Sequence, residues 1–374
     1  MSVRLDQLRL ARTPGIGPIL YRRLMTRFGT AASALDAMPG IARGAGRAGA
    51  PATPKRAEVE REIAALQRLG GRMIFVSEPD YPALLALMED APPVISVLGD
   101  ARLLGRPAVA LVGSRNASAN GRVFAERLAA ELAQAGRVVV SGLARGIDTA
   151  AHEGALRTGA TIACVAGGLD HPYPAENTGL QSDIAGRGCV VAEAPMGTTP
   201  QARHFPRRNR IIAGLSLGVV VIEAALRSGS LITARIAQEE GRELFAVPGS
   251  PLDARCHGSN ALIRQGAHLV ECAADIEANL PDHPGREGLQ RDPLFARGAA
   301  PDGLREPQIA LQTPPAAVRS LLALLGPTPT AVDDLVRRCQ FSAPEVLAAL
   351  LDLELQGRVE TLPGSRVALL VQGP

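Results

Sequence analysis

Arginines recur where this chain turns on glycine. Arg115 closes Gly113-Ser114-Arg115, Arg145 stands between Gly142 and Gly146, and Arg207, Arg208 and Arg210 crowd one short stretch beside Asn209. A guanidinium offers a planar fork of donors suited to phosphate, and a glycine turn lets backbone amides approach an anion closely. Between Ala194 and Ile222 there is no acidic residue, and Phe205-Pro206 opens a predicted helix from Arg207 to Leu215. Cations at a helix N-terminus oppose the macrodipole, so the arrangement asks for an external anion. Ser141 precedes Gly142, and Ser228-Gly229-Ser230 opens another predicted helix, adding hydroxyls and amides of the same kind. Gly168 and Asp170 lie in a further turn, followed by His171-Pro172-Tyr173-Pro174, that is placed to reach over a ligand. The plainer alternatives are glycines serving ordinary strand-to-helix connections, a solvated basic turn, and Phe205 as a buried ring.

The elements that must position these residues follow from periodicity. Ala108 to Val112 is a short unbroken apolar run, which reads as a strand buried on both faces, and Ala119 to Ala135 is helical. Similar runs recur at Arg137 to Ser141, Thr161 to Val165, Cys189 to Ala192, Gly218 to Ile222, Glu243 to Val247 and His268 to Val270, most of them separated by helical segments. Such alternation predicts an α/β fold, an extended Rossmann-like and mostly parallel sheet that binds ligands at its carboxyl edge. Asp148 is placed to cap the helix after the second strand. His152, four residues on, shares its face, as ligand contact or core residue.

With 374 residues the chain has room for two or three domains. We divide it into a helical domain over 1–70, the α/β domain over 71–280, a Pro/Gly-rich charged linker over 281–315 and a small domain over 316–374. Net charge is +5 over residues 1–106, 0 over 107–280 and −1 over each of 281–315 and 316–374, so a polyanion would be held by local patches. There is no Trp and aromatics are 3%, which excludes a sheet built on aromatic platforms for RNA. Five scattered cysteines without CxxC spacing argue against a metal site or a disulfide framework, and Cys164 and Cys189 read as small core residues. No long apolar run and no signal-like N-terminus imply a cytoplasmic protein with no membrane partner. No cofactor is expected.

Residues 4 to 28 show two helical patterns joined by Thr13-Pro14-Gly15-Ile16-Gly17. This resembles a helix-hairpin-helix, whose turn amides can hold one DNA phosphate, and eight arginines face only Asp6 and Asp36 over residues 1–50. Packing alone would also explain the turn. Residues 40–54 read as a loop. Near the C-terminus, three predicted helices (Ala317 to Leu325, Ala331 to Cys339, Ala343 to Gln356) and a hairpin follow the order of a winged helix. Its third helix offers Glu345, Asp352 and Glu354 and no cation, which suits protein contact better than a major groove.

Six segments taken together carry a specific resemblance: VGSRNAS (Val112 to Ser118), SGLARGIDTAAH (Ser141 to His152), GGLDHPYPAEN (Gly167 to Asn177), HFPRRNRIIAGLS (His204 to Ser216), SGSLITARIAQEEGRELFAVPG (Ser228 to Gly249) and GSNALIRQGA (Gly258 to Ala267). In order, over roughly residues 60 to 270, the chain resembles the DNA-processing protein A (DprA/Smf) family. The resemblance implies a single-stranded DNA binder that loads the recombinase RecA in natural transformation and forms a homodimer. It implies that Arg115, Arg145, Arg207, Arg208, Asn209 and Arg210 form the phosphate pocket. No phosphate loop of the GxxxxGK[ST] type is present, and no persuasive catalytic constellation appears. The rival reading is a Rossmann-like nucleotide-processing enzyme, akin to nucleoside monophosphate hydrolases, with Glu193 or Glu223 as acid or base.

Overall fold

The computed structural model describes residues 2–44, 52–282 and 315–370, apart from 327, 340, 356–357 and 363. They form two compact units, one of residues 61–289 and one that joins residues 1–60 to 290–374. Most of the stretch read as a linker lies outside the described residues. In chain order the first helices are α1 (Ser2–Ala11), α2 (Pro18–Phe28), α3 (Ala31–Gly44) and α4 (Arg56–Arg68). The sheet follows: β1 (Arg72–Phe75), α5 (Ala83–Ala86), β2 (Val94–Gly99), β3 (Ala108–Gly113), α6 (Ala119–Gln134), β4 (Val138–Ser141), α7 (Ile147–Thr158) and β5 (Thr161–Val165). It continues through α8 (Thr178–Arg187), β6 (Cys189–Ala192), α9 (His204–Gly214), β7 (Gly218–Ile222), α10 (Ser230–Glu239), β8 (Glu243–Ala246), α11 (His257–Arg264), β9 (His268–Leu269) and α12 (Ala273–Glu277).

The nine strands stand in the order β1-β2-β6-β5-β4-β3-β7-β8-β9. The seven from β6 to β9 are parallel, and the edge pair is antiparallel, β1 to β2 and β2 to β6. Alternation of period two divides β3 cleanly. Ala108, Ala110 and Val112 enter one core with Val140, Val219 and α9 residues Ile211 and Ile212. Val109 and Leu111 enter the other with Val139, Val220 and the small side chains of α6 and α7, among them Ala125, Ala129, Ala151 and Ala155. Both faces are therefore sealed, as a continuous apolar strand requires. Cys164 and Cys189 are fully buried in the first core.

In the smaller unit, Leu8, Leu10, Leu20 and Leu24 are buried between the first helices. Residues 40–44, read from sequence as loop, continue α3. Its apolar positions Ala31, Ala34 and Met38 recur at helical spacing and are buried, which holds the helix despite Pro39. The C-terminal part is α13 (Pro315–Leu324), β10 (Thr330–Ala331), α14 (Val332–Arg338), α15 (Ala343–Leu355), β11 (Val359–Leu362) and β12 (Arg366–Leu369), a winged helix whose strands pair in the order β10-β12-β11. Among the described residues no helix is long and apolar enough to cross a membrane.

His152 belongs to the core, not to a surface. It is fully buried, its Nδ1 lies 2.7 Å from the Thr161 Oγ1, and Thr161 in turn donates to the Val139 carbonyl at 2.7 Å. Burial first, and then the Arg208 charge, hold its imidazole down to about 3. The ring is neutral in the native protein while the unfolded chain takes up a proton below its ordinary value of about 6.5. Its contribution is therefore intact above that pH and is lost progressively as pH falls toward 3. Urea unfolding at pH 7.5 and pH 5 should show a loss of about 2 kcal/mol from this group, and His152→Gln should remove that part of the pH dependence.

Candidate nucleic-acid interface

The strand order reverses at β3, with β4, β5 and β6 on one side and β7, β8 and β9 on the other. Loops leaving β3 and β7 diverge to opposite faces, and such a switch point opens a crevice at the carboxyl edge. Most of the predicted site residues are brought to this edge. They divide sharply into buried and exposed.

Arg208 and Arg210 are 5% and 6% exposed. The Arg208 Nη1 donates to the Gly142 carbonyl and, at 2.8 Å, to the Cys164 carbonyl, tying the ends of β4 and β5 to α9. Burial lowers the Arg208 guanidinium from its ordinary range, opposed by Asp148, and burial raises the Asp148 carboxyl against the pull of Arg208. Arg210 donates to the Asp90 carbonyl and, at 2.6 Å, to Glu193 Oε1. Asn209 donates to the Gly229 carbonyl at 3.3 Å, and Ser141 Oγ to the Leu111 carbonyl at 2.6 Å. These four were read from sequence as phosphate ligands, and they spend their donors inside the protein. Helical spacing gives the reason: Arg208, Ile211, Ile212 and Leu215 fall on one face, and that face meets the sheet.

Carboxylates of the protein also occupy the turns expected to receive an outside anion. Asp148 does not cap its own helix, whose N-cap is Gly146; it reaches back to accept from the Gly142 and Ala144 amides at 3.2 and 3.4 Å. At the start of α6, Glu223 accepts from the Ser118 amide at 2.8 Å and from its hydroxyl, and that hydroxyl accepts from the Gly121 amide at 2.9 Å. Asp170 accepts from the Gly197 amide at 2.9 Å, and Gly168 leaves room for its carboxylate. Ser228 and Ser230 bond to each other at 2.7 Å. The glycines answer to protein neighbours as well. A Cβ on Gly142 would overlap the Arg208 guanidinium, one on Gly113 would overlap the Ile222 carbonyl, and Gly146 combines a φ of +82° with close approach to the Ser114 carbonyl.

Arg115, Arg145 and Arg207 are exposed. Arg115 lies over the Phe205 ring, its Cζ 4.9 Å from the centroid, and Tyr173 meets the same ring edge-on at 5.6 Å. The Arg208 Cζ is 5.9 Å from that centroid. Two loops and α9 thus meet at one half-buried aromatic. Tyr173, 47% exposed, was not singled out from sequence; the two prolines flanking it, which present it on a fixed loop, were the available signal. Arg145 faces Glu176 at 3.7 Å, both side chains about two-thirds exposed, and a pair so solvated contributes little. Arg115, Arg122 and Arg145 line a groove between α6 and α7. Near the start of α9, burial and then the Arg203 and Arg207 charges hold His204 below its ordinary range. The edge therefore carries three exposed cations, Arg115, Arg145 and Arg207. Removing the buried cation by Arg208→Ala leaves Asp148 unpaired and should cost about 3–5 kcal/mol in denaturant unfolding, whereas Arg207→Ala should change stability by less than about 0.5 kcal/mol.

Comparison with known proteins agrees with this architecture along the chain. Residues 72–281 match the family model of DNA recombination-mediator protein A, residues 2–65 a DprA-like N-terminal HHH domain, and residues 305–365 the DprA winged helix domain. The chain is 34% identical to Protein Smf of Synechocystis over 95% of its own length and 96% of that protein, and 43% identical to DNA processing protein DprA of Bacillus subtilis over 60% and 76%. Among solved structures, DprA from Streptococcus pneumoniae superposes with a TM-score of 0.58 at 43% identity, covering 62% of this chain and 80% of that one. A structure of DprA from Helicobacter pylori that concerns its single-stranded DNA binding mode gives 0.51 at 32% identity, covering 55% and 93%. With the family model spanning more than half of its residues, this chain belongs to the DNA recombination-mediator protein A family, the DprA and Smf proteins.

Proposed function

We propose that this protein binds single-stranded DNA without sequence preference and loads the RecA recombinase onto it during natural transformation, working as a cytoplasmic homodimer. The observation that carries the binding is the convergence of Arg115, Tyr173 and Phe205 at the switch point, with Arg145 and Arg207 exposed beside them. Three guanidinium groups, two on separate loops and one in the first turn of α9, suit successive phosphates of one strand, and contacts of that kind leave the bases unread. Gly113, Ser114, Gly142 and Gly146 set the loop geometry that presents these cations. Arg208, Asn209 and Arg210 act from below, as the residues that hold those loops. The single-stranded DNA binding studied in the Helicobacter pylori relative supports the substrate class. Membership of the family is what supports the reading of RecA loading and of pairing between two copies.

A binder without catalysis is favoured over the nucleotide-processing alternative by the state of its two candidate acids. Glu193 is engaged by Arg210, and Glu223 by Ser118. In fluorescence anisotropy with labelled oligonucleotides, Arg115→Ala should weaken binding about tenfold for homopolymer and mixed strands alike and lower the salt slope by about 0.7. Unchanged affinity would remove Arg115 from the site, and turnover of nucleotides by the wild-type protein would restore the enzyme reading. Loading is tested by following labelled RecA onto protein-coated strands, where the wild type should speed assembly and Arg115→Ala should not.

A further inference from the structure

In a winged helix the third helix is the one that enters a duplex groove, and here it is acidic. The structure gives two of its carboxylates a partner within the same compact unit. Arg23 Nη1 donates to Glu354 Oε2 at 3.1 Å and to Thr361 Oγ1 at 3.0 Å, and Arg27 Nη1 donates to Asp352 Oδ1 at 3.0 Å. Arg23 and Arg27 lie four residues apart, so their guanidinium groups stack along one face of α2. That helix carries three arginines and no acid. Glu354 is fixed in place before it meets Arg23, because it also accepts from the Thr361 amide at 3.2 Å and from its hydroxyl at 3.0 Å. The side chains of Glu354 and Asp352 are only 12% and 21% exposed, so the pairs lie in a contact and not in open solvent.

Two cations one helical turn apart, on a helix free of acids, form a surface for a phosphate backbone; two carboxylates on a neighbouring helix at matching positions are its internal substitute. We infer that the Arg23/Arg27 face of α2 is a second DNA-backbone site, distinct from the sheet edge, and that α15 of the winged helix covers it by standing where phosphates would lie. This inference does not rest on the reading of the sheet edge. Ion pairs that retain some solvent are individually weak, while a DNA duplex presents a dense row of charge and gains from counterion release. Duplex DNA can therefore displace α15 where an isolated anion cannot. The acidic third helix is, on this view, a gate on the N-terminal helices.

The test uses the full chain and a labelled duplex of about 20 base pairs in anisotropy titrations across salt concentrations. Asp352→Asn with Glu354→Gln keeps the shapes and removes both charges; it should tighten duplex binding about five- to tenfold and steepen the salt slope by up to about two. Adding Arg23→Ala and Arg27→Ala should cancel the gain. Asp352→Asn alone, at the more exposed pair, should give a smaller shift of the same sign and serves if the double variant is unstable. Glu360→Gln, which removes one charge on the exposed side of β11, should shift affinity far less than Asp352→Asn does. The inference is overturned if the Asp352 and Glu354 variants bind as the wild type does, if tightening survives loss of Arg23 and Arg27, or if Glu360→Gln tightens binding as much. Failure at the sheet edge would appear separately, as single-strand binding indifferent to Arg115→Ala.

Discussion

A guanidinium placed beneath the carboxyl edge of a parallel sheet must be compensated at once, since a buried charge without partners costs several kcal/mol. Arg208 meets that demand by bridging the last carbonyls of two strands and facing Asp148. The consequence spreads outward. Gly142 must lack a side chain to admit the guanidinium, Asp148 must turn back toward the β4 loop, and α9 must pack with Arg208 inward. That orientation of α9 leaves Arg207 facing solvent and sets Phe205 under Arg115. The geometry of the exposed edge is thus a by-product of a constraint in the interior.

The same edge shows a division of labour between two kinds of charge. Amides of the turns read from sequence as anion sites are occupied by Asp148, Glu223 and Asp170. These internal anions rigidify the loops at their bases, while the cations stay at the tips. A pocket of bare amides grips one phosphate at a fixed point. Long arginines on a braced edge would, on the function proposed above, tolerate a flexible polymer whose phosphates arrive at varied spacings.

Much of the fold could be read from the chain because its strands are short apolar runs buried on both faces. The runs at Thr161 to Val165, Cys189 to Ala192 and Gly218 to Ile222 coincide with strands. The reversal of order at β3 could not be read, because adjacency in the sheet depends on crossovers and not on local pattern. At the site, residue type misled where position decided. Arg208 and Arg210 have the chemistry of phosphate ligands, yet Ile211, Ile212 and Leu215 already mark the inward face of α9, and extending that periodicity backward reaches Arg208. Arg210 had no such signal; its partners Asp90 and Glu193 come from distant parts of the chain. The acids of α15 were visible in the chain, but their partners on α2 lie over 300 positions away, beyond any sequence periodicity.

Arg115 resting over the Phe205 ring carries one more implication. A solvent-exposed arginine samples many rotamers, and immobilising it on a ligand forfeits that freedom. Here the ring restricts the side chain beforehand while the residue stays exposed, so less rotational entropy would be lost if a ligand engaged it. The aromatic thus works as a rest for a poised hand.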